Sequence, residues 1–179
     1  MEDRAKRLKR FQNGSPVEII ETLLNSLANF FNIRELDVAA FNNLWLLVIL
    51  GIHAVALTIS HGLFNKDGHD GFKLFLKNFM DTEEDGFNFS EISLEIHTYR
   101  NIIVHKWLSD FGYDFGFDFE MEKGWEKRGG ITYFNPKLCY QAYKNAFGAG
   151  GKIWDYDNLL IEEELEKAKE RLIEKYKNE

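Results

Sequence analysis

A single cysteine, Cys139, stands in the 179 residues, so the chain can close no internal disulfide and can build no thiolate-rich zinc site by itself. A reducing, cytoplasmic setting fits that shortage. Proline is almost as scarce, with only Pro16 and Pro136, and there is no internal repeat or low-complexity tract. The charged N-terminal stretch from Met1 to Arg10 lacks the apolar run of a secretory signal, so export is not expected. Bases are outnumbered by acids, 22 to 29, which leaves a net charge of -7 and a pI near 5.3. That balance excludes a protein that coats nucleic acid through a broad basic surface and leaves room only for a small, local phosphate site. The basic cluster Arg4, Lys6, Arg7, Lys9 and Arg10 reads as a solvated tail.

What is present is apolar material: 45% of the residues are hydrophobic, enough for one core in one domain. Ser15, Pro16 and Glu18 form a helix-start signature, and Val17, Ile20, Leu24, Leu27 and Phe31 continue it at helical spacing over about 16–31. Asp37 reads as the cap of a long second helix that Gly62 ends. Its stretch from Leu44 to Ile59 is apolar on nearly every face and approaches the length of a bilayer span. Asn42 and Asn43 at the entrance and His53 in the middle argue instead for a central helix covered by amphipathic neighbours, and no membrane association is expected. A shorter helix begins at Asp70, and Asp81–Gly86 reads as an acidic loop. Ser90 then caps a helix from about Glu91 to Asp110.

After Gly112 the period changes. Tyr113, Phe115, Phe117, Phe119 and Met121 alternate with Asp114, Gly116, Asp118 and Glu120, as in a half-buried strand, and Ile131–Phe134 is the expected partner in a β-hairpin. Asn135-Pro136 restarts a helix, the run 148–151 is a hinge, and a last helix follows from about Asp157. The fold expected is mainly α: a helical bundle with a small β-hairpin and C-terminal helices.

The chemistry is concentrated in Arg100-Asn101-Ile102-Ile103-Val104-His105. Arginine with histidine five positions on is weak by itself, but the asparagine directly after the arginine lowers the chance expectation to roughly one in twenty. The segment also lies in an apolar helix, where polar residues need a reason. Asn101 and His105 are four apart and share a face, and the long Arg100 side chain can swing toward them. One phosphate can meet all three. His105 can serve as general base or acid in attack of an RNA 2'-hydroxyl on its own phosphodiester. Arg100 can hold the phosphate and offset the charge of the transition state, with Asn101 orienting phosphate or histidine. Lys106 is close enough to add a substrate contact. Such a reaction requires no metal or other cofactor and leaves a 2',3'-cyclic phosphate and a 5'-hydroxyl.

These six residues resemble the R-N-x-x-x-H form of the motif of HEPN-domain proteins, helical bundles of which many are metal-independent endoribonucleases in toxin–antitoxin or defence systems. The resemblance implies RNA as substrate, a homodimer in which two motif helices form a composite cleft, and an antitoxin or other regulatory protein as a further partner. It extends over about 15–110, with 111–179 as a hairpin and helical addition to the same domain. Where HEPN toxins that pair with a nucleotidyltransferase commonly carry a modified tyrosine, two residues after the histidine, this chain has Trp107. A non-catalytic HEPN module that binds RNA, a nucleotide or a protein is the alternative. His97 and Tyr99, flanking the motif, read as helix-surface residues. His53, His61 and His69, with Asp67 and Asp70, match no zinc spacing, so no metal site is expected. The alternating aromatics read as core packing rather than a base-stacking surface, because the intervening acids would repel phosphate.

Overall fold

The computed structural model describes residues 4–82, 87–106 and 114–178. Among the described residues there are eight α-helices beside a small sheet: α1 Arg4–Asn13, α2 Pro16–Leu27, α3 Asp37–Phe41, α4 Trp45–Phe64, α5 Gly68–Phe75, α6 Ser93–Lys106, α7 Pro136–Phe147 and α8 Glu162–Asn178. Wider π-helical turns continue α2 through Ala28–Leu36 and α5 through Leu76–Met80, and tighter 3-10 turns span Phe89–Ile92 and Lys152–Leu159. The chain is mainly helical, as its periodicity requires.

Local chemistry explains several boundaries. The Ser15 hydroxyl accepts the Glu18 N–H at 3.3 Å, and Asn135 Oδ1 accepts from the N–H groups of Lys137 and Leu138, so α2 and α7 start where the two prolines stand. The long helix expected from Asp37 is broken at 42–44. Asn43 takes a left-handed backbone (φ 58°), and the Asn42 amide donates to the Val38 carbonyl at 2.8 Å, both options that asparagine has and aliphatic residues lack. Nor does Gly62 end α4. Asn65 does, with φ 53°, while the Lys66 N–H returns to the Ser60 carbonyl. Gly62 instead admits α8: a methyl group there would stand 3.0 Å from Leu172 Cδ2. Arg171 of α8 exploits that approach, donating to the Gly62 and Leu63 carbonyls at 3.1 and 2.9 Å.

Helix α4 is the axis of the bundle, burying Val48, Ile49, Ile52, His53, Val55, Ala56, Ile59 and Leu63 against α5, α7, α8 and the turns of Ala28–Leu36. Among the described residues it is the one helix long and apolar enough to cross a bilayer, and more than half of it is buried by these neighbours. One continuous core runs from Ile20 to Ala168 and takes in Phe134, Tyr143 and Tyr156, so the chain beyond residue 113 supplies part of it.

The sheet departs from the expected pairing. The hairpin is made by β2 (Trp125–Arg128) and β3 (Ile131–Phe134) across Gly129–Gly130, whose φ values of 56° and 88° suit a two-residue turn. Strand β1 (Phe115–Phe117) lies on the other side of β3 but parallel to it, with Phe115 opposite Thr132 and Phe117 opposite Phe134. Alternation along β1 marked its two faces, whereas direction was set by the glycine pair nearer to β3.

Candidate functional site

Helix α6 carries the motif and is braced by four other elements. On the sheet side, Tyr99 packs on Phe115 and Phe117 with ring centres 5.1 and 5.5 Å away, and Lys127 of β2 pairs with Glu95 at 3.5 Å. From α5, His69 Nε2 reaches the Ser93 hydroxyl at 3.1 Å. From α4, His53 Nε2 meets His97 Nδ1 at 2.9 Å. Ile96, Ile102 and Ile103 fill the buried face. Just upstream, the expected cap is reversed: the Ser90 N–H donates to Asp81 Oδ1 at 3.1 Å, ordering the 3-10 turn that leads into α6.

On the outer edge of α6 the Arg100 Nη1 donates to Asn101 Oδ1 at 2.8 Å. Only an oxygen can accept there, so this contact fixes the amide and leaves its NH2 group, with the rest of the guanidinium, available as donors. Among the described residues no carboxylate neutralises Arg100, whereas Arg128 is matched by Asp118 at 2.7 Å and by Glu126. In a chain of net charge -7 an unmatched, half-buried guanidinium is a local attraction for an anion. His105 and Lys106 complete the helix one turn further on. Their side chains, and Trp107, lie outside the described residues.

The structure adds a feature that sequence spacing did not reveal, the pair His53–His97. His53 is fully buried beside Phe72, ring centres 4.5 Å apart, and its Nδ1 has no hydrogen-bond partner. Burial, the Arg100 charge and the neighbouring His97 push its pKa down to about 3. His97 is lowered too, by burial and then by His69 and Arg100. Both rings are therefore neutral near pH 7. The available signal was His53 itself, a polar residue amid an apolar run, which must find a partner when buried. His61 goes elsewhere, to Asp67 at 2.9 Å, and among the described residues no three His, Cys, Asp or Glu side chains are grouped to hold a metal ion.

Leu94 and Val104, which flank the face of α6 that bears Asn101, are 56% and 48% exposed. The outer surface of this helix is thus a charged and polar pair between two uncovered aliphatic side chains. No protein-family model, no curated protein and no solved structure matches this chain.

Proposed function

We propose that the chain is a metal-independent endoribonuclease of HEPN type, working as a homodimer in the cytoplasm and serving as a toxin or defence effector under the control of an antitoxin or regulatory protein. The observation that carries this reading is the Arg100–Asn101 pair: a guanidinium that meets no carboxylate among the described residues, hydrogen-bonded to an amide whose NH2 is left to donate, one helical turn before His105. Donors without acceptors suit a phosphodiester. In the reaction, His105 takes the proton of the 2'-hydroxyl as its oxygen attacks phosphorus. The bond from phosphorus to the 5' oxygen then breaks, and that oxygen takes up the proton from the imidazolium that His105 has become. Arg100 offsets the charge on the non-bridging oxygens, Asn101 orients them, and Lys106 adds a substrate contact. Imidazole proton transfer and guanidinium charge compensation together need no metal.

Support for the homodimer comes from Leu94 and Val104, whose exposure beside Asn101 gives a second motif helix an apolar rim to cover. The deciding experiment incubates wild-type protein and the His105→Ala variant with mixed cellular RNA in excess EDTA and analyses the product ends. Cleavage by wild type alone, leaving 2',3'-cyclic phosphates, is expected. If neither protein cleaves any RNA across the pH range, a non-catalytic binding module replaces this reading.

A further inference from the structure

The two nitrogens of a buried histidine must be accounted for separately, and for His53 one arrangement is favoured over the other. If His53 Nε2–H donates to His97 Nδ1, the unpartnered Nδ1 of His53 is a bare lone pair. In the reverse arrangement it is a buried N–H without an acceptor, the rarer kind of orphan. The first arrangement also keeps both rings in the Nε2–H form, the more stable tautomer of neutral imidazole. His97 therefore carries its proton on Nε2. That atom has no partner among the described residues and is not buried.

His97 precedes Arg100 by three residues and Asn101 by four, so the three side chains are neighbours on one side of α6. We propose that His97 binds the same phosphate as Arg100 and Asn101, donating its Nε2–H to a non-bridging oxygen, with the buried His53 fixing the tautomer that makes it a donor. This rests on the reading of Arg100 and Asn101 as phosphate ligands and adds a third group to them. The result is a cluster in which the unpartnered groups of Arg100, Asn101 and His97 are all donors. Since the His97 ring stays neutral near pH 7, it contributes a directed hydrogen bond rather than charge and does not compete with His105 for the transferred proton. His53 is a positioning residue: it touches only His97 and the core.

The test uses the full chain and a mixed-sequence 2'-O-methyl RNA labelled with a fluorophore, which lacks the attacking hydroxyl and reports binding alone. His97→Ala should weaken binding by about tenfold, the loss of one hydrogen bond to a charged group. His97→Gln, whose side-chain NH2 can take the place of Nε2–H, should recover most of that loss. His53→Leu keeps the core filled and leaves His97 free to sample both tautomers, so it should weaken binding by less than His97→Ala does. Long-range proton–nitrogen NMR of histidine-labelled protein reads the tautomer directly and checks that each variant is folded. A proton on Nδ1 of His97, or undiminished binding by His97→Ala, overturns the inference. Binding that depends on His97 without cleavage of unmodified RNA sinks the nuclease reading and leaves this site standing; no binding by wild type overturns both.

Discussion

Lowering the pH from 7 to 5 should cost the folded protein about 2 kcal/mol through His53. Its folded-state pKa is about 3 and its ordinary value is 6.5. Between these two values the unfolded chain binds a proton at this position that the native chain refuses. Stability from the neutral, buried ring is therefore fully present above pH 6.5 and is lost progressively as the pH falls toward 3. The gradient is about 1.4 kcal/mol per pH unit, so the 1.5 units from 6.5 to 5 amount to about 2 kcal/mol. Complete burial of the His53 side chain leaves little solvent to screen the effect. For a chain of this length, that loss corresponds to a fall in Tm of about 4–8 °C. Carboxylates titrate over the same range, so the informative quantity is a difference. Urea denaturation at pH 5, 6, 7 and 8 would be compared for wild type and His53→Leu, in which carboxylate titration is shared. The variant should lose about 2 kcal/mol less than wild type between pH 7 and pH 5. Parallel pH profiles for the two proteins, or an NMR titration of native His53 with a midpoint near 6.5, would refute the argument.

Other expectations follow from single contacts. Arg100→Ala and His105→Ala should each reduce cleavage of RNA by about 10²- to 10⁴-fold while leaving the unfolding midpoint close to that of wild type, checked by initial rates and urea denaturation on the same samples. Arg171→Ala removes both hydrogen bonds to the carbonyl end of α4 and should destabilise the protein by about 1–2 kcal/mol, with α4 amides exchanging faster near Gly62 and Leu63. Gly151→Ala would place a methyl group 2.3 Å from the Asn145 and Ala146 carbonyl oxygens, so a loss of about 2 kcal/mol or more is expected in the urea midpoint. By contrast Gly129→Ala meets no atom within 4 Å and suffers only from its positive φ of 56°, which should hold its cost to about 1 kcal/mol.

Much of this protein was written locally. Ser15-Pro16 and Asn135-Pro136 start α2 and α7 because capping depends on groups within one turn, and those groups are adjacent in the chain. The placing of Arg100, Asn101 and His105 on one helix is local in the same sense, since helical geometry ties residues three to five apart whatever surrounds them. Tertiary structure decided the rest. The parallel pairing of β1 with β3 depended on a turn more than ten residues away from β1. Gly62 read as a terminator until α8 was seen to press against it, over a hundred residues further along the chain. His53 and His97, 44 residues apart, have no sequence relation that marks them as partners. Their contact arises because α4 turns His53 into the core, and a buried imidazole must lie where another polar group can reach it. Periodicity tells which face of an element is apolar; which other element covers that face, and which polar atoms meet there, is fixed only when all the faces are packed at once.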